Sequence, residues 1–236
     1  MNLSSLQTEI SRKLNDTAMD RWVAGTLLDR INHIQRDIVI RTKCLRDVGL
    51  DSVVAGTNEY ALPTGYLDML RVLVNGKEVG GVEKHELDML AAGDWSLING
   101  TPQQYYIDVD PDNSKIGLFP NPVAGDAGTN NLKMYYVRAP TDLSASTDIP
   151  FNIGTATTSN LLVAHHMTIV YGAAAMCLED NIADPSSKLK RDEFMMEYER
   201  GLAKINDIFD NPSDQKMHMM GGRYWGGKSG EVLWTE

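Results

Sequence analysis

The sequence predicts an α+β fold: a helical bundle from N- and C-terminal helices, an inserted mainly antiparallel β module, and an extended C-terminal arm. Three observations predict it. Apolar residues recur every three or four positions at both ends, in 1–50 and 155–211. Between them, 51–154 breaks into short β-branched runs closed by Asn, Gly and Pro. The remainder, 212–236, is rich in Gly and Met and follows neither period.

The elements follow in order. Leu3, Leu6, Ile10 and Leu14 lie at helical spacing, and Ser4 with Gln7 can form a capping box, so a short helix with one apolar stripe is expected first. Thr26 and Asp29 cap a second, with Leu27, Ile31, Ile34 and Ile38 on one face and an end near Cys44 to Asp47. Glu59 to Leu62 reads as a strand stopped by Pro63, and Met69 to Val74 as a second strand. Asn75-Gly76 then marks a hairpin, because both residues tolerate the positive φ of a type I′ turn, and the return strand is Lys77 to Val82. A short helix over Glu83 to Leu90 precedes strands at Gln104 to Val109, Lys115 to Phe119 and Leu132 to Arg138.

A polar link from Pro140 to Ser159 returns the chain to helix at Asn160, with Ser159 as N-cap. Leu161, Leu162, Ile169, Val170, Ala173, Met176, Cys177 and Leu178 nearly surround its axis, which makes it the central helix. Asp184-Pro185 suits the start of the last helix; its stripe is Phe194, Tyr198, Leu202, Ile205 and Phe209, and Asn211-Pro212 ends it.

Composition excludes several function classes. The 236 residues carry 22 basic and 32 acidic side chains, a net charge of −10 that repels a phosphate backbone instead of gaining counterion-release energy from it. No stretch of about twenty apolar residues and no signal-peptide core is present, so a soluble, non-exported chain without a membrane span is expected. Cys44 and Cys177 form neither a disulfide frame nor a metal knuckle and read as buried apolar side chains.

Four motifs carry chemical suggestions. Gly222 to Ser229 matches the phosphate-binding pattern G-x-x-x-x-G-K-[ST], but Gly230 to Glu236 leave too little chain for the helix such a loop must feed. Asp108, Asp110 and Asp112 begin a calcium-loop pattern in which Asn113 replaces the turn glycine and Phe119 the bidentate acid. His165 and His166 point about 100° apart on a helix, so both cannot meet one metal; one packed and one wet ring is the expectation. Met217-His218-Met219-Met220 holds soft donors, yet reads better as an adaptable sticky segment. No catalytic residue, metal or cofactor is assigned. In the arm, Arg223, Tyr224, Trp225 and Trp234 are the residue types that anchor interfaces, between glycines that loosen the chain, and these are the expected partner-binding residues.

Leu27 to Ile38, Tyr60-Ala61-Leu62-Pro63 and Leu70 to Lys77 resemble, in composition and order, the head-to-tail adaptor proteins of tailed bacteriophages. Gly100-Thr101-Pro102 before Tyr105-Tyr106, Ile116 to Pro120 and Tyr135 to Pro140 continue the resemblance, which spans about residues 20 to 205. It implies a ring of copies, commonly about twelve, below the portal of the capsid. That ring extends the DNA channel, docks the tail tube or nozzle protein, and makes no specific contact with the DNA that passes. It implies a virion protein at the head–tail interface, assembled in the bacterial cytoplasm, and no enzyme. A central helix apolar all round would gain cover from a neighbouring subunit in such a ring. The alternatives are another tail or baseplate component, and a nucleotide-binding enzyme using 222–229.

Overall fold

The computed structural model describes residues 1–90, 95–109, 114–152, 160–179 and 184–209; at Leu90, Asn160 and Leu161 it describes the backbone alone. The first elements are α1 (Leu3–Leu14), α2 (Ala24–Thr42), β1 (Arg46–Val53), β2 (Glu59–Ala61), β3 (Tyr66–Val74), β4 (Lys77–Gly81) and α3 (Lys84–Leu90). A 3-10 turn at Trp95–Leu97 precedes β5 (Gln104–Asp108), β6 (Lys115–Phe119), β7 (Gly128–Arg138), α4 (Asn160–Val163), α5 (His166–Glu179) and α6 (Pro185–Phe209). The chain divides into two compact units, one of 1–34, 143–149 and 159 onward, the other of 35–142 and 150–158.

In the first unit α5 packs against α1 and α6. Asn2, not a Ser4–Gln7 box, caps α1: its Oδ1 accepts the Ser5 N–H at 2.9 Å. Asn is among the strongest caps, and Gln7 is engaged elsewhere, donating to the Ala24 carbonyl at 2.9 Å. Helix α2 begins at Ala24, ahead of the expected Thr26 cap, and stops at Thr42, earlier than expected, with Lys43 at φ 49°. The helix expected to run unbroken from Asn160 is two pieces, α4 and α5.

The expectation that α5 needs a neighbouring subunit for cover is corrected. Ile169, Val170, Ala173, Ala174, Ala175 and Cys177 are all fully buried by the chain itself. Small residues make this possible. A Cβ at Gly172 would lie 2.9 Å from Ile34 Cγ2 and 3.0 Å from Tyr198 Cδ2, and one at Gly201 would overlap the Thr168 side chain. Helix α6 starts as the sequence predicts: the Asp184 carboxylate accepts N–H groups of Ser186 at 3.3 Å and Ser187 at 3.1 Å, and both serine hydroxyls.

The second unit holds a seven-stranded sheet in the order β1-β7-β3-β4-β5-β6-β2, antiparallel throughout except at β4–β5. The Asn75-Gly76 turn between β3 and β4 takes φ 51° and 76°, as a type I′ hairpin requires. Strand β1 has no counterpart among the expected strands, and β7 begins at Gly128, four residues ahead of the expected start at Leu132.

The edge strands β1 and β2 are consecutive in sequence, so the sheet rolls until they approach. A Cβ at Gly49 of β1 would lie 2.5 Å from Pro63 Cγ just beyond β2. The Tyr60 hydroxyl locks the connection, accepting the Val54 N–H at 3.2 Å and donating to the Thr57 carbonyl at 2.7 Å. Inside the roll lie Val53, Val72, Val74, Val79, Ile116, Leu118, Leu132 and Met134. A satellite cluster joins Leu87, Trp95 and Tyr106, with the indole edge-on to the Tyr106 ring at 5.2 Å.

The polar link after β7 is strapped down by two amides. In the first unit Asn32 exchanges hydrogen bonds with Leu143, donating to its carbonyl at 3.1 Å and accepting its N–H at 2.9 Å. In the second, the buried Gln35 donates to the Thr141 carbonyl at 3.1 Å and accepts the Phe151 N–H at 2.7 Å. Each amide satisfies backbone groups that a loop could not pair for itself.

Candidate functional site

The expected partner-binding residues Arg223, Tyr224, Trp225 and Trp234 lie outside the described residues, as do the 222–229 pattern and Met217 to Met220. The calcium-loop reading loses its first ligand: Asp108 is paired with Lys84 at 2.5 Å, and 110–113 lie outside the description. No cluster of metal-ligating side chains occurs among the described residues, and none of the described helices is long and apolar enough to cross a membrane. The two histidines part as their spacing requires. His166 is buried, and burial pushes its pKa down to about 4, whereas His165 is half-buried.

What the structure presents instead is a surface the sequence did not reveal. On β1 the usual alternation is inverted. Val48 and Leu50 point away from the sheet core and are 45% and 54% exposed, while Asp47 and Asp51 pair with the inward-facing Tyr136 and Leu132 of β7. Cross-strand partners share a face, so Val48 sits beside Tyr135 and Leu50 beside Lys133, with Arg71 and Leu73 of β3 on the far side of those two residues. The Arg71 guanidinium stacks over the Tyr135 ring at 4.5 Å. The result is an outward band of aliphatic and aromatic groups edged by two cations.

The edge itself is guarded. Asp47 Oδ1 accepts the Val48 N–H at 2.8 Å and Asp51 Oδ1 the Ser52 N–H at 2.7 Å, so side chains occupy donors that an added strand would need. Arg138 holds the other Asp47 oxygen at 3.1 Å. A contact here would therefore use side chains and not strand addition. The signal was present in the sequence as Val-x-Leu alternating with Asp-x-x-x-Asp, but its phase places the charges inward, which is visible only once β7 is known to be the partner.

A second feature is a cavity of about 340 Å³ in the first unit. Its apolar wall is Leu14, Trp22 and Leu178, all buried. Arg21 and Lys190 supply its cations, with the Arg21 guanidinium 4.5 Å over the Trp22 ring. Asp16, also at the cavity, folds the loop back on itself: it accepts the N–H groups of Asp20, Arg21 and Trp22 at 3.0 to 3.2 Å, and these bonds, Trp22 first, lower its pKa. Ser186 and Ser187 at the rim are turned toward Asp184, whose pKa falls to about 2 chiefly because their hydroxyls donate to it.

Comparison with known proteins adds one finding. A family model described as SU10 adaptor protein matches residues 1–220, most of the chain, and stops short of Arg223. No curated protein matches the sequence.

Proposed function

The chain belongs to the SU10 adaptor protein family, and from that premise we propose that it assembles as a ring between the portal and the tail of a phage particle. As a member of a phage adaptor family it is a structural protein. In the proposed reading about twelve copies extend the DNA channel, the tail tube or nozzle protein docks beneath them, and DNA passes without specific contact. The protein acts by assembly at the head–tail interface of the virion, after building in the bacterial cytoplasm, and not by turning over a substrate.

The family match over 1–220 carries this reading. The outward band on β1 supports it, because exposed aliphatic and aromatic groups set beside Arg71 and Lys133 have the makeup of an interface core with a charged rim. A net charge of −10 per copy, multiplied around a ring, presents passing DNA with few attractive traps. Because the family match ends at 220, the arm residues Arg223, Tyr224, Trp225 and Trp234 are proposed to supply contacts particular to this chain and its own portal.

The test is to mix the full chain with its portal and image the mixture. Rings seated on the portal are expected; persistent monomers with no ring would overturn the proposal. Labelling the protein in intact particles separates this position from a tail or baseplate position. The nucleotide reading of 222–229 is checked by titrating ATP and magnesium against the full chain and Lys228→Ala, with no difference expected.

A further inference from the structure

We propose that the outward band of β1, β7 and β3 on one copy receives the outer face of α6 of a second copy, a contact between two unlike surfaces. Phe194, Tyr198, Leu202 and Ile205 bury one side of α6, and the opposite side carries Leu189, Met196 and Ala203 seven residues apart. At that spacing the positions drift by only about 20° per repeat on an α-helix, so the three form one seam. Leu189 and Met196 are 75% and 64% exposed. The chain gives neither the seam nor the β1 band cover of its own.

Charge selects the partner. From Asp192 to Glu199 the helix holds four carboxylates and no cation, with Lys188 and Lys204 toward its ends. Arg191 and Arg200 engage Asp192 and Glu197 on the helix's own surface. Glu193 and Glu199, both exposed, flank Met196 at about 60° to either side. The band on the sheet has the reverse sign: Arg71 and Lys133, both exposed, border Val48, Leu50 and Tyr135, and Glu78 lies beyond them, opposite Leu73. Band on band would set cations together, and seam on seam carboxylates; only band on seam joins opposite charges around an apolar centre. Dimensions agree. Leu189 and Met196 stand about 10.5 Å apart along the helix axis, and β1 lies two strand spacings from β3 across β7, about 9.6 Å. A helix crossing the strands sets one of these side chains against Val48 and Leu50 and the other against Leu73. Because the two surfaces differ, each copy still offers one of each to a further neighbour, so the contact propagates until it closes. The inference rests on the ring proposed above for that closure, and assigns the two faces that meet in it.

Two full-length variants, Leu50→Cys and Met196→Cys, test it, since Cys44 and Cys177 are buried in both. Mixed in equal amounts on the portal and treated with a short bismaleimide, they are expected to give a cross-linked dimer that neither variant gives alone; neither chain holds both engineered thiols, so the link joins two copies. Charge reversal supplies a second readout. R71E/K133E and E193K/E199K should each weaken assembly on the portal by about tenfold or more, and all four changes in one chain should restore it. Rings of the natural chain whose cysteine mixture shows no link between the two variants would overturn the proposal and leave the ring standing. So would a link at least as strong in either variant alone, or charge variants that fold normally and assemble like the natural chain. Absence of rings from the natural chain itself would remove the ring reading, and this contact with it.

Discussion

Gly117 of β6 lies directly beneath the ring of Tyr106 on β5, with no room between them for a single methyl group. The two strands pair with Tyr106 opposite Gly117, so the phenol folds across the glycine and reaches Glu59, 3.4 Å from its Oε1. Burial beside that carboxylate raises the Tyr106 pKa well above the ordinary tyrosine range.

Gly117→Ala is therefore expected to drive the ring out of the Leu87–Trp95 cluster. Overpacking of this kind costs about 1–3 kcal/mol, which in a chain of this size lowers Tm by roughly 2–12 °C. A thermal melt checks it; a Tm within a degree of the natural protein would show that the cluster yields freely.

His166 sets a pH dependence. Its folded pKa of about 4 lies below the ordinary 6.5, so the unfolded chain binds the proton more readily. The contribution is fully present above about pH 6.5 and is lost as pH falls through about 4, on the order of 3 kcal/mol in all. Urea unfolding at pH 7 and pH 4.5 should show this loss in the natural chain and much less of it in His166→Gln. Equal slopes in the two proteins would remove the assignment.

The outward band of β1 predicts a separation of folding from assembly. Val48→Lys with Leu50→Lys touches no buried position, so the isolated protein's Tm should move by no more than about 2 °C. Assembly on the portal, scored by imaging, should fall sharply. Normal assembly of the double variant would show that partners use another face.

The arm predicts a kinetic signature. Replacing Trp225 or Trp234 by Ala should speed dissociation from the portal by about thirtyfold or more, as loss of a buried aromatic anchor of about 2 kcal/mol requires. Surface-immobilised portal and a range of flow concentrations measure this. Unchanged dissociation from all four of Arg223→Ala, Tyr224→Ala, Trp225→Ala and Trp234→Ala would end the claim that the arm docks there.

Features governed by neighbours in sequence were legible in the chain itself. The Asn75-Gly76 turn needs only positive φ at two adjacent residues, and the start of α6 needs only a carboxylate within reach of the N–H groups just after it. The family resemblance rested on runs of this local kind, and the match over 1–220 agrees with it. Where several local signals competed, as at the start of α1, sequence patterns chose Ser4 and the fold chose Asn2.

Tertiary structure alone decided the rest, because a strand's inner face is defined by its partner. Asp47 to Asp51 looks unpromising as a strand until β7 lies alongside it and Arg138 meets Asp47. In the same way, the apolar circumference of α5 is equally consistent with a buried helix and with an unfinished interface. The close approaches at Gly172 and Gly201 bury it within one chain, and those contacts join residues up to 138 positions apart, from Ile34 to Gly172, which no local pattern can encode.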